Sequence, residues 1–262
     1  MFVKHPFAPD RLLTQNSELR KAGVFGWTLP AFITTLSDGS RFNCCPNAGP
    51  CARVCYARFG TYRFRNVIDR HVWNLEYILL HPDAWQEQMV HEISHRRMDP
   101  TFKPHDLDHD PADRWVAEWV ANGGRAVRIH DSGDFFTRDY LTRWFEIART
   151  RPEVLFYAYT KEVEMVRRAL PDAPANFRPI FSLGGKQDDL IHRDTERHAD
   201  VFPTDQALQA AGYYNQEAND LLAAVAPSVR IGIVQNNIPV AVKRFGGRSM
   251  SQMIDRETPA PS

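Results

Sequence analysis

No cysteine occurs outside residues 44–55, where all four of the chain are gathered. That absence excludes a disulfide framework spread over the fold, because bridges need partner thiols elsewhere. No run of eighteen apolar residues occurs either, which leaves no candidate membrane span, and the first 21 residues mix charged and polar types without the apolar stretch of a targeting signal. Net charge is missing too, since 32 Lys and Arg balance 32 Asp and Glu. Without a global field, a polyanion can be met only by a local patch. A reducing cytoplasm, where thiols stay free to bind metal, is the expected home.

What is present is enough apolar material for a full core: 262 residues, 43% hydrophobic and 11% aromatic. An N-terminal arm, 1–27, precedes one expected domain, 28–242, and a flexible tail or flap, 243–262, that carries Gly246-Gly247. Thr28 to Leu36 reads as the first strand, followed by the turn Ser37-Asp38-Gly39-Ser40. Residues 66–97 read as two helical pieces divided at Pro82, and 99–113, rich in Pro and Asp, as a surface loop. From Ala126 onward, apolar runs at 126–129, 154–159, 179–183, near Val201 and at 229–234 alternate with helical pattern. Six such strands predict an α/β fold, a partial or closed (βα)6-type barrel with a cysteine loop after the first strand. Such a barrel gathers its reacting groups at the strands' C-terminal ends. Polar segments follow the strands in that way: His130-Asp131-Ser132-Gly133-Asp134, Thr160-Lys161, Ser182-Leu183-Gly184-Gly185 and Gln235-Asn236-Asn237. Turn residues alone would also produce them.

The cysteine spacing, Cys45-Pro46-x4-Cys51-x3-Cys55, provides three thiolates. Three can hold three irons of a [4Fe-4S] cluster and leave the fourth open to a small chelating ligand. A structural zinc wants four ligands, with Cys44 or His71 as the addition, although side chains of the adjacent Cys44 and Cys45 point apart. Unmetallated thiols are the third possibility. The spacing leaves all three open.

Other segments invite chemistry of their own. His91-Glu92-Ile93-Ser94-His95 matches the helical zinc motif H-E-x-x-H, yet Trp85, Met89 and Ile93 mark the buried stripe and place both histidines on the solvent side. Arg58, Arg63 and Arg65 interleave with Phe59, Tyr62 and Phe64, a composition that binds phosphates and stacks bases, or that simply packs its rings and solvates its charges. His105 and His109 among Asp106, Asp108 and Asp110 suit a metal or a solvated loop. Lys161 stands where a desolvated base of shifted pKa would sit, or is simply a solvated lysine at a helix start.

Three segments together, Cys45-Pro46 through Cys55-Tyr56-Ala57, Val127 through Phe135, and Phe156 through Lys161, resemble the phage "gene product eighty-eight" family of actinobacteriophages and bacteria, over about 25–185. That family name implies no activity. More distantly, the layout is similar to radical S-adenosylmethionine enzymes. The resemblance implies Cys45, Cys51 and Cys55 as cluster ligands and Ser132-Gly133-Asp134 as the turn that meets the cofactor's methionyl ammonium, with Asp134 supplying negative charge. The cysteines are separated by five and three residues here, against three and two in that superfamily, and serine stands for the first glycine. The expectation is a cytoplasmic iron–sulfur enzyme of a bacterial or phage-infected cell, served by an electron donor and acting on a small molecule or modified nucleotide. Asp134 and Lys161 are its candidate catalytic groups, and Ser132, Gly133, Thr160, Ser182, Gln235 and Asn236 its candidate cofactor or substrate contacts. The alternatives are a zinc-stabilised nucleic-acid or protein-binding module, which would touch nucleic acid through Arg58, Arg63 and Arg65, and a zinc hydrolase built on His91 and His95.

Overall fold

Short β-branched and aromatic runs bounded by turn residues set the sheet. In the computed structural model, which describes residues 2–100, 116, 118–119 and 122–254, seven of these runs lie side by side. They are β1 (Val24–Trp27), β4 (Ala126–Ile129), β5 (Leu155–Thr160), β6 (Phe177–Ser182), β7 (His198–Phe202), β8 (Tyr214–Asn215) and β9 (Arg230–Val234), in the order β1-β4-β5-β6-β7-β9-β8. Every pairing is parallel. Parallel strands are covered on both faces, which is why β5 reads Leu-Phe-Tyr-Ala-Tyr-Thr and is buried at every position but Tyr159. A separate antiparallel hairpin, β2 (Ile33–Thr35) with β3 (Arg41–Asn43), turns through the expected Ser37–Ser40 segment.

One face of the sheet carries helices α3 (Arg65–Leu80), α4 (Pro82–Ile93), α5 (Arg138–Arg149) and α6 (Val163–Ala169), which follow α1 (Ser17–Lys21) and α2 (Cys51–Val54) in the chain. Pro82 opens α4 at a position where its missing N–H costs nothing. Thr137 caps α5 by accepting from the Tyr140 backbone N–H, and Tyr140, Leu141, Trp144, Phe145 and Ala148 form the buried stripe that the sequence predicts. Trp85 is the hub, its ring centroid 5.9 Å from Trp27, 5.5 Å from Tyr140 and 5.4 Å from Trp144. Truncating such an aromatic in a filled core costs about 3–5 kcal/mol. The opposite face presents Ala126, Leu155, Tyr157, Ile180, Ala199 and Ile231. It is covered by residues 221–226, which contain α8 (Leu222–Val225), and by Trp119. The remaining helices are α7 (Asp205–Ala210), α9 (Pro239–Phe245) and α10 (Met250–Ile254).

Three sequence expectations need correction. The sheet has seven strands and stays open: among the described residues β1 and β8 are its edges and do not pair, so the barrel does not close. The first sheet strand is β1, inside the segment read as an arm, whereas Thr28 to Leu36 contributes only the short β2. Pro30 explains that difference, because it lacks the N–H that an interior strand position must donate. The stretch from Lys243, expected to be flexible, is helical in α9 and again in α10, with Gly246 ending α9 in the left-handed conformation at φ +59°. Residues 101–113 of the expected surface loop, with His105 and His109, and residues 255–262 of the tail lie outside the described residues. No helix among the described residues is long and apolar enough to cross a membrane.

Candidate functional site

The C-terminal ends of β4, β5, β6, β7 and β9 border a cavity of about 450 Å³. Cys45, Cys51 and Cys55 line it, as do Ser132, Gly133 and Asp134 after β4, Lys161 after β5, Ser182 at the end of β6, and Gln235 and Asn236 after β9. Thr160 is buried behind this lining, where its hydroxyl donates to Asp134. Residues spread over nearly 200 positions of sequence are thus brought to one wall by the parallel sheet.

The cysteine segment is held in place by backbone. Asn43 accepts from the Cys45 N–H through its side chain at 3.0 Å. The Gly184 carbonyl accepts from Gly49 and Cys51 at 3.0 and 3.2 Å, and Lys186 donates to the Asn47 carbonyl at 2.8 Å. The Asn47 amide and backbone N–H in turn donate to the Glu162 carboxylate at 2.6 and 3.0 Å. Gly184 itself has φ +98°, and a Cβ there would fall 2.5 Å from Met250 Cγ and 3.1 Å from Cys51 Cβ, so only glycine lets these three parts meet. Asp188 fixes the same turn by accepting from the Gly184 and Gly185 N–H groups at 2.7 and 2.8 Å.

Cys44 turns the other way. It is fully buried among the aromatic core, and burial pushes its thiol up to about 12. Burial also raises Cys45, Cys51 and Cys55, the last to about 11, and so disfavours their thiolate forms. Thiolate formation here needs a cation, and a bound metal supplies one. Burial opposes the charge of Lys161, but Cys51, Asp134 and Asp188 outweigh it and raise its pKa above the ordinary value. The Lys161 ammonium donates to Ser182 Oγ at 2.9 Å, and the raised pKa favours its charged form. Among the described residues, no group of three or more His, Cys, Asp or Glu side chains stands close enough to surround a single ion.

The Ser132-Gly133-Asp134 turn is tied to the protein. Ser132 Oγ donates to the Leu29 carbonyl, and Gly133, at φ +90°, packs so tightly that a Cβ would lie 2.6 Å from Leu29 Cβ. Asp134 accepts from Thr160 Oγ1 at 2.6 Å and from the Lys161 and Phe135 N–H groups at 2.8 Å, joining the end of β4 to the end of β5. Burial raises its pKa against those three bonds. Roughly four acceptor directions serve a carboxylate, which leaves one free.

A polar floor that the sequence did not reveal lies beside these groups. Arg128 reaches Asp220 at 3.2 Å and Asp131 at 3.7 Å, and its guanidinium stands 5.2 Å from the Tyr159 ring centroid. The Tyr56 and Tyr62 hydroxyls donate to Asp131, and the Tyr157 hydroxyl to Asp220. Burial opposes the charge on Arg128, but Asp220, Tyr56 and Asp131 outweigh it and hold the pKa well above its usual value. An arginine inside the apolar run Ala126–Ile129 was a legible signal. Its partner, 92 residues further on, was not.

The remaining candidates do not gather here. Arg58 donates to the Ala52 carbonyl and lies 5.9 Å from the Phe32 ring centroid, Arg65 pairs with Asp69, and Arg63 is exposed. His91 and His95 are exposed as expected. Glu92 between them is buried, accepting from the Leu12 and Leu13 N–H groups, Gln88 and Arg97. The carboxylate that a zinc hydrolase would aim at water is committed to holding the N-terminal segment.

The Gene 88 protein of Mycobacterium phage L5 is 28% identical to this chain over 159 residues, 58% of the chain and 56% of that protein. The chain thus spans little more than half the length of that relative. No solved structure matches it. The family model described as Gene product 88 matches residues 9–256, and the chain belongs to that family.

Proposed function

We propose that the protein is an iron–sulfur enzyme of radical S-adenosylmethionine-like type, working in the cytoplasm of a bacterial or phage-infected cell. The observation that carries this reading is the convergence of Cys45, Cys51 and Cys55 on one cavity at the C-terminal ends of parallel strands. α/β enzymes assemble their chemistry there. Strands β1, β4, β5, β6, β7 and β9 neighbour one another in chain order, the sequence of a barrel laid open, which supports the partial-barrel form of this reading.

The donor set fits a [4Fe-4S] cluster better than a single zinc. A cluster takes each thiolate on a different iron, whereas zinc draws four ligands around one centre, and Cys44, the obvious fourth, is buried in the core. When bound, such a cluster supplies an open iron for a small chelating ligand and a route for one electron from a donor protein. The chain's own groups complete the site. The Lys161 ammonium offsets thiolate charge beside Cys51, and Phe245 and Met250 line the cavity from α9 and α10 with apolar side chains. Asp134 has one acceptor direction left for the ammonium of S-adenosylmethionine. Gln235 and Asn236 face the space left for a small-molecule or nucleotide substrate.

Anaerobic purification followed by iron and sulfide assay tests the proposal. About four of each per chain is the expected result, with Cys51→Ala losing the iron and Cys44→Ala keeping it. Protein that holds no iron under those conditions, or one zinc and no sulfide, overturns it.

A further inference from the structure

We infer that a rim of exposed cations beside the cavity binds a single-stranded nucleic acid. The chain is neutral as a whole, but its charges are not evenly spread. Residues 39–68 carry five arginines and residues 235–254 two arginines and a lysine, with no Asp or Glu in either segment. Without these eight cations, 24 Lys and Arg stand against 32 Asp and Glu in the remainder, so the two segments hold the positive side of a polarised chain. The inference adds a partner to the proposed reading and does not rest on it, because a cationic rim needs no cluster.

The fold brings the two segments together. Arg244 of α9 donates to the Arg53 carbonyl of α2, and its guanidinium stands 5.8 Å from the centroid of the Phe59 ring. Phe59 directly precedes the turn Gly60–Arg63, and Phe245 and Met250 pack with Val54. Both segments border the cavity, the first through Cys55 and Tyr62 and the second through Ala241 and Phe245. Their cations are short of acids. Arg65 pairs with Asp69, but Arg63, Lys243, Arg244 and Arg248 make no ion pair among the described residues. Arg244 and Arg248 donate to backbone carbonyls, which leaves their charge unmatched, and Arg63, Lys243 and Arg244 are exposed.

A polyanion is what such a rim suits, and a phosphodiester strand fits it better than an acidic protein. The core of a protein interface is apolar and depleted in charge, whereas this rim is dominated by cations. Phe64, 59% exposed between Arg63 and Arg65, also presents a ring on which a base can stack. Aromatic side chains set among cations are the means by which strands are held without regard to sequence. The cavity that the rim borders, about 450 Å³, lies in the range of roughly 300–1,000 Å³ that takes a small ligand, so it has room for one unit of a strand and none for a duplex. A single strand, whose bases need no unpairing, meets both features.

The test is fluorescence anisotropy of the full chain, its iron content measured, with labelled mixed-sequence DNA and RNA strands of about 20 nucleotides. At least one strand is expected to bind with a Kd below about 100 μM at about 0.1 M salt, and more weakly as salt rises. The double variant Arg63→Glu, Lys243→Glu is expected to weaken binding at least tenfold and to make the log–log salt dependence shallower by about 1.4, the share of two phosphate contacts. Phe64→Ala is expected to weaken it about tenfold. Arg149→Glu, in the last turn of α5 at the opposite end of the sheet, is expected to bind as the parent does, and every variant to keep the parent's far-ultraviolet dichroism. Failure of both strands overturns the inference, and so does binding that the double variant and Phe64→Ala leave untouched or that Arg149→Glu weakens equally. Polyglutamate that displaces the strand as well as unlabelled strand of equal charge overturns it in favour of an acidic protein. An iron-free chain that binds a strand keeps this inference and sinks the cluster, and an iron-loaded chain that binds none does the reverse.

Discussion

Asp220 shows how much one side chain can decide. Arg128 and Asp220 are 17% and 20% exposed at the side chain, so neither is freely solvated, and the 3.2 Å pair is the closest charge partnership that Arg128 has. Removing the carboxylate strands most of a buried guanidinium, because Asp131 at 3.7 Å is the remaining counter-charge. Asp220→Ala is therefore expected to cost about 3 kcal/mol, the lower end of the range for breaking a buried pair. Replacing both partners with apolar residues is expected to return part of that loss. Urea unfolding of the two variants measures it, and a loss under about 0.5 kcal/mol for Asp220→Ala would class the pair with solvated surface bridges. The arginine was readable in the sequence as a charge interrupting an apolar strand. Asp220 was not, since nothing local distinguishes it from its polar neighbours Gln216, Glu217 and Asn219, and only the crossing of 216–226 over the sheet brings it to Arg128.

Elements whose identity is local were legible, and those that depend on tertiary contact were not. The α5 stripe and the β5 run declare themselves by period and composition. The four residues of β1 are too few to stand out, and the stretch from Lys243 looked disordered because its glycines and serines are turn formers. What orders that stretch is distant: Asp200 on β7, 1% exposed, accepts from the Ser251 N–H at 3.1 Å and its Oγ at 2.5 Å, while Phe245, Met250 and Met253 pack with Val54. Ser251→Ala removes one of those bonds from a buried carboxylate and is expected to cost about 1 kcal/mol. The loss should stay local. Hydrogen exchange over residues 239–254 is expected to quicken while β4 and β5 keep their protection, and unchanged exchange there would show that the small apolar cluster alone holds the stretch.

Over the whole molecule, the site sets an opposition between buried acids and buried bases that governs stability against pH. Burial raises Asp134, Asp188 and Asp200, and raises Glu162 from 4.5 to about 7, so these groups favour the fold in their protonated forms. Their contribution is present below the ordinary carboxyl range and is lost as pH rises through the raised values, which for Glu162 means the window from about 4.5 to about 7. Burial lowers His71 from 6.5 to about 4 and His130 to about 3, and their contribution is present above 6.5 and lost as pH falls through those values. The raw profile mixes the two, so a difference between variants is needed to separate them. Glu162→Gln keeps an acceptor for Asn47 but cannot ionise. Relative to the parent chain, its melting temperature is expected to climb as pH rises from about 4.5 to about 7, by on the order of 2–4 °C, and then to level off. A difference that stays flat from acid to alkaline pH would mean that Glu162 titrates alike in the folded and unfolded chain, its burial offset by the bonds from Asn47 and by the charge of Lys186.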